Sequence, residues 1–209
     1  MNILNSDKIL FTGDSITDAG RDKYDFHSLA GYSKIISDYL QLFYPHLNIS
    51  VFNRGISGDT TAMLLQRTEK DIADTNPSIV SVLIGINDVW RRYDSNRPTS
   101  AEQFADNYIK LLEVIKKQTS KIVILEPFLL TSDKAKEHYR EDLDPKINIL
   151  RKIARTFNTE YIPLDGIFSK LSIKNGAQLY SQDGVHPSYR GHSVIAMEWI
   201  KNTDLKTLI

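Results

Sequence analysis

Residues 9–20 read Ile9-Leu10-Phe11-Thr12-Gly13-Asp14-Ser15-Ile16-Thr17-Asp18-Ala19-Gly20. An apolar run meets Gly-Asp-Ser with almost no polar spacer, which predicts a short buried strand ending in a tight bend. A serine just past a strand's carboxyl end lies where open α/β sheets bind small molecules. Taken alone, Gly13-Asp14-Ser15 favours no more than a turn followed by a helix cap. The rest of the chain has to decide.

Working outward, strands are expected over 9–12, 48–53, 79–84, 121–126 and 160–163. Apolar residues at helical spacing fall between them. Ile35, Ile36, Tyr39, Leu40 and Phe43 form one such face, stopped by Pro45. Met63, Leu64, Arg67 and Ile72 mark a helix over 60–72, with Asp59 as a candidate cap. Phe104, Tyr108, Leu111, Leu112 and Ile115 form a third face, and Ile147, Leu150, Ile153, Ala154 and Phe157 a fourth. Asp165 is read as the cap of a small helix over 165–171, and the last helix carries Ile195, Ala196, Trp199 and Ile200. Segments 22–29, 91–100 and 180–188 read as loops, and the charged stretch 131–144 stays unassigned. Strands that alternate with helices, two of them nearly continuous apolar runs, predict parallel pairing through helical crossovers. The expectation is one three-layer α/β/α domain over 1–209.

Composition narrows the function. The 209 residues contain 26 Lys plus Arg, 26 Asp plus Glu and no cysteine. Balanced charge gives no basic surface for nucleic acid. Without cysteine there are no disulfides, thiolate catalysis or cysteine metal sites. No basic region precedes a long apolar stretch at the N-terminus, and no run approaches the roughly 18 apolar residues of a membrane span. A cytoplasmic location without membrane partners is expected.

Three predicted strands end in unusual residues: Gly13-Asp14-Ser15, then Asn53 to Gly58, then Gly85 to Asp88. In a parallel sheet these ends share one edge. Asp183-Gly184-Val185-His186-Pro187, before the last helix, can reach the same edge. A serine hydroxyl needs a base to take its proton, and histidine suits that task. The imidazole needs a carboxylate to fix its tautomer. Ser15, His186 and Asp183 thus form a candidate triad. Ser15 N–H, Gly55 N–H and the Asn87 amide are candidate donors to an oxyanion. His27, His46 and His138 have no comparable setting, and His192 reads as structural. Asp14 reads as an orienting or capping carboxylate beside the pocket, and Asp88 as ordering the Asn87 loop.

These blocks resemble the SGNH hydrolases, or GDSL esterases and lipases. GDSIT at 13–17 places the family nucleophile on Ser15, with Ile16 where the name has leucine. NRGISGDTT at 53–61 places the oxyanion glycine on Gly55. GIND at 85–88 places the oxyanion asparagine on Asn87, and DGVHP at 183–187 places the acid on Asp183 and the base on His186. The resemblance implies a flavodoxin-like five-stranded sheet ordered 2-1-3-4-5. It also implies a serine esterase that works through an acyl-enzyme without metal or organic cofactor. GDSITDAGR and IGINDVWRRYD look most like an intracellular bacterial branch with acetylxylan esterases and related carbohydrate deacetylases.

Trp90, Tyr93 and Phe128 follow the third and fourth strands and are expected to line the entrance. With Arg91, Arg92 and Asp94 nearby they suit a small-molecule or oligosaccharide ester. A lipase, lysophospholipase or thioesterase is the alternative, and a non-catalytic α/β binding protein is the rival from another class. A phosphoryl-transfer protein lacks support, because there is no glycine-rich loop ending in Lys and Ser or Thr. Trp199, Leu205, Leu208 and Ile209 suit either a homo-oligomer contact or packing on the chain's own core.

Overall fold

The computed structural model describes residues 1–205. Strands β1 (Lys8–Gly13), β2 (Ser50–Gly55), β3 (Ile79–Leu83), β4 (Ile122–Leu125) and β5 (Glu160–Ile162) form one parallel sheet ordered β2-β1-β3-β4-β5. Successive side chains of a strand face opposite layers. Ile9 and Phe11 therefore enter one core while Leu10 enters the other. Helices α2 (Gly31–Phe43), α7 (Leu164–Asn175) and α8 (Tyr189–Lys201) cover the first face; α3 (Thr61–Thr75) and α5 (Ala101–Gln118) cover the second. The sixth helix, α6 (Arg140–Phe157), turns Leu143 and Ile147 to the first core and Leu150 and Ile153 to the second.

Two short helices, α1 (Ser15–Asp18) and α4 (Ile86–Ser95), begin directly after β1 and β3. They put Ser15 and Asn87 on the carboxyl edge of adjacent strands, since Gly13 pairs with Leu83.

Several sequence expectations change. Polar composition suggests a loop over 91–100, but α4 continues to Ser95, because Ile86 and Val89 anchor it while Arg92 and Asp94 face solvent. Met63 is 49% exposed rather than inward. Thr60 caps α3 by accepting from Met63 N–H. Asp59 instead accepts Arg67 Nε at 2.7 Å. Asp165 is not the cap of α7; it receives both terminal nitrogens of Arg140 at 2.8 Å. That contact also explains the charged stretch: a 3₁₀ turn, Lys134–Tyr139, leads into α6 at Arg140. Trp199 is fully buried and donates Nε1–H to Ser81 Oγ at 3.2 Å, so it belongs to the core and is closed to a subunit contact. Leu205 packs partly against the same core, whereas Leu208 and Ile209 lie outside the described residues.

Candidate active site

Ser15 is the first residue of α1, reached through the Asp14 cap, whose Oδ1 accepts Ile16 N–H at 3.0 Å. Its Oγ lies 3.1 Å from His186 Nε2. His186 Nδ1 lies 2.7 Å from Asp183 Oδ2. A carboxylate can only accept, so Nδ1 carries the proton and Nε2 is left to accept from Ser15 O–H. The chain separation between Ser15 and His186 is bridged by local turn chemistry. Asp183 Oδ1 accepts the N–H groups of Val185 and His186 and the hydroxyl of Ser181, which winds 183–186 into a tight loop. Gly184 accepts Leu130 N–H at 2.8 Å, and a side chain at Gly184 would run into the Leu130 carbonyl at 2.6 Å. The loop is thereby held against the end of β4.

The electrostatics follow from these contacts. Burial opposes ionisation of Asp183, but the hydrogen bonds from His186 and the loop N–H groups outweigh it and hold the carboxyl well below its usual range. The hydrogen bond to Asp183 raises His186, with partial burial opposing. Asp14 is different. It is 1% exposed, its Oδ2 has no partner among the described residues, and burial pushes it up to about 7.

Asn87 is buried, and its Nδ2 donates to the Asp59 carbonyl at 3.0 Å, leaving one amide hydrogen uncommitted. Asp88 accepts Thr61 N–H and Thr61 Oγ1–H, so it ties α4 to α3. Gly55 is a correction to the sequence reading. Its N–H is spent on Asn53 Oδ1 at 2.9 Å, and its lack of a side chain serves packing, since a Cβ there would sit 2.2 Å from Asp18 N. The N–H of Gly58 has no hydrogen-bond partner among the described residues, and Gly58 has φ +90°. It adjoins Asp59, the residue that holds Asn87.

The expected entrance residues separate. Trp90 is half-buried, with its ring centroid 5.8 Å from that of His186. Tyr93 lies one layer back, stacked on Tyr139 at 4.1 Å. Phe128 is 0% exposed and packs on Phe168, so it is core. Asp14 is also sealed beneath the site and does not line it. His192 accepts Tyr32 N–H through Nδ1 at 3.2 Å, and burial lowers it to about 4.

Three cations support the site in ways that the sequence reading does not assign to them. Arg67 donates to the Gly13 carbonyl at 3.0 Å as well as to Asp59 and Asp71. Arg21 donates to the Gly55 carbonyl at 3.2 Å. Lys136 donates to the Asp183 carbonyl at 2.8 Å, pairs with Asp133 and sits 5.0 Å over the Trp90 ring. Their only trace in the sequence is a charged residue where the helix pattern or loop composition does not need one. No group of His, Asp or Glu able to hold a metal occurs among the described residues.

Comparison with known proteins fits this geometry. The GDSL-like lipase/acylhydrolase family matches residues 11–194. An acetylxylan esterase of Geobacillus stearothermophilus is 32% identical over 96% of this chain and 95% of its own length. A crystal structure of an acetylxylan esterase from that organism superposes with a TM-score of 0.87 at 31% identity, covering 96% of this chain and 95% of the other. A structure from Parabacteroides merdae described as a GDSL-like lipase gives 0.91 at 32% identity, covering 99% and 100%.

Proposed function

The chain belongs to the GDSL-like lipase/acylhydrolase family and is a carboxylic ester hydrolase; from that premise we propose that it removes acetyl or similarly short acyl groups from a carbohydrate through Ser15, His186 and Asp183. The observation that carries the reading is the continuous hydrogen-bonded line from Ser15 Oγ through His186 to Asp183. His186 takes the Ser15 proton as Oγ attacks the ester carbonyl. The resulting oxyanion is met by Ser15 N–H, which as a first-turn group has no intrahelical acceptor, by the free Asn87 amide hydrogen and by Gly58 N–H. Protonated His186 then gives its proton to the leaving alcohol. A water deprotonated by His186 attacks the acyl-enzyme and releases the acid. No step requires a cofactor.

The substrate class rests on two supports. The Geobacillus relative named above is an acetylxylan esterase. Trp90 beside His186 offers a flat aromatic face to the leaving alcohol, which a sugar ring can stack on. The Lys136 ammonium, 5.0 Å from the centre of the Trp90 ring, helps to hold that ring in place.

Ser15→Ala should abolish turnover while leaving the fold intact by circular dichroism, and a serine-directed phosphonate should label Ser15 alone. Near-normal turnover in that variant would refute the mechanism. On p-nitrophenyl esters, kcat/KM should peak at two to four acyl carbons. A preference for eight or more would replace the acetylesterase reading by a lipase or thioesterase one, because each buried CH₂ contributes about 0.8 kcal/mol where a matching groove exists. Loss of the Trp90 ring should impair acetylated sugars more than p-nitrophenyl acetate.

A further inference from the structure

Helix α4 separates two flanks of the site. Asn87 and Arg91 lie one turn apart and so share a face. That face looks at the 58–60 loop: Asn87 donates to the Asp59 carbonyl, and the Arg91 guanidinium lies 3.3 Å from where a Gly58 side chain would begin. Trp90 points to the other flank, toward His186. Beyond Arg91 the first flank opens into a cavity of about 530 Å³ walled by Thr60, Met63, Arg91, Arg97, Asp106 and Lys110 among others. Its volume exceeds what an acetyl group needs, and the mechanism above does not use it.

Its charge is uneven. Arg91 is paired with Asp94. Among the described residues neither Arg97 nor Lys110 has an ion-pair partner, and Asp106 is the sole carboxylate on the wall. Two unpaired cations around a concavity raise the local concentration of anions, and a guanidinium reads a carboxylate with two parallel hydrogen bonds. Met63, 49% exposed on the same wall, gives the apolar surface on which a ring face can rest. We propose that this cavity, between Arg97 and Lys110, binds a carboxylate-bearing sugar unit of the substrate, so that the enzyme favours acetylated acidic oligosaccharides over neutral ones.

The proposal rests on the carbohydrate esterase reading, and the assay keeps the two apart. Acetylated neutral oligosaccharides, acetylated oligosaccharides containing a hexuronic acid, p-nitrophenyl acetate and the p-nitrophenyl hemiester of succinate are compared in wild type, Arg97→Gln, Lys110→Gln and the double variant. Wild type should show the higher kcat/KM on the acidic oligosaccharide, and added salt should erode that preference. The double variant should raise KM for the acidic substrate by about tenfold, which corresponds to about 1.4 kcal/mol. Its kcat, and its rates on the neutral substrates, should stay unchanged. Equal wild-type use of acidic and neutral sugars overturns the proposal while leaving the esterase reading standing. So does an unaltered preference in the double variant. A charge-dependent gain confined to the succinate hemiester also overturns it, by assigning the cavity to the acyl group. Hydrolysis of p-nitrophenyl acetate without any sugar ester would instead refute the carbohydrate reading, and this proposal with it.

Discussion

Asp183 and Asp14 both act on His186, one from the open rim of the site and one from the sealed layer below. In the rim loop, Asp183 accepts from Ser181, Val185 and both nitrogens of His186 that face it. Below, Asp14 accepts from Ile16 alone, and its second oxygen has no partner among the described residues. The outcome is opposite ionisation: Asp183 is held far below the usual carboxylate range, whereas Asp14 is pushed up to about 7. Burial with a single donor raises Asp14, whereas at Asp183 the direct bonds from His186 and the loop N–H groups outweigh burial and make it the dependable anion. The site invests its donors in the half-exposed acid and leaves the buried one as a cap that titrates near neutrality.

The largest expected break in this comparison is Asp183→Asn. An amide there no longer enforces the Nδ1–H tautomer, and kcat/KM should fall by about 10,000-fold. A loss below tenfold would remove Asp183 from the triad. Asn87→Ala should cost about 100-fold to 1000-fold in kcat, the usual loss for one oxyanion donor. In a structure of the phosphonate-labelled enzyme, the phosphoryl oxygen should lie within hydrogen-bond reach of Gly58 N–H while Gly55 N–H stays on Asn53. An oxygen seated on Gly55 would reverse the correction made above.

Asp14→Asn should have a far smaller effect on rate, less than about tenfold, because asparagine also caps helices. Its mark should be on pH. The Asp14 charge raises His186, so its removal should move the acid limb of kcat/KM to lower pH.

The smallest kinetic effect carries a distinct stability signature. With a folded value near 7 and an ordinary value of 3.8, Asp14 binds a proton more tightly in the folded state. Its contribution is therefore full below 3.8 and lost as pH rises toward 7, on the order of 4 kcal/mol in all. Thermal unfolding should show Asp14→Asn gaining on wild type as pH rises from 4 to 8. His192 runs the other way. Burial lowers it to about 4, so its contribution is full above 6.5 and lost as pH falls toward 4. Asp88, which burial raises to about 6, also loses its contribution as pH rises and so offsets His192. Wild type should therefore vary more between pH 4 and 7 than Asp14→Asn, in which those two slopes oppose each other. A pH-independent difference between the two proteins would show that Asp14 does not titrate in this range.

What could be read early was local or chemical. Apolar runs of strand length alternating with helical spacing are legible because each element must bury one face, and that need is written residue by residue. Even so, the stretch from Arg91 reads as loop, since Arg91, Arg92, Asp94 and Ser95 leave Tyr93 as the one apolar residue in the last turns of α4. Phe128 read as an entrance residue because it follows a strand, but following a strand does not say which way a ring turns; it turned inward onto Phe168.

The sequence by itself determined the alternating strands and helices and the residue types able to activate a serine. It also determined their placement at strand ends or just before the last helix. Each follows from nearest-neighbour pattern or side-chain chemistry. Only the tertiary structure decided which groups are free and which are spent. Gly55 N–H is occupied by Asn53, the Asp183 carbonyl is held by Lys136, and Arg67 joins Gly13 to Asp59. Donors and acceptors are claimed by whatever folding brings within about 3 Å, and residues distant along the chain compete for them on equal terms.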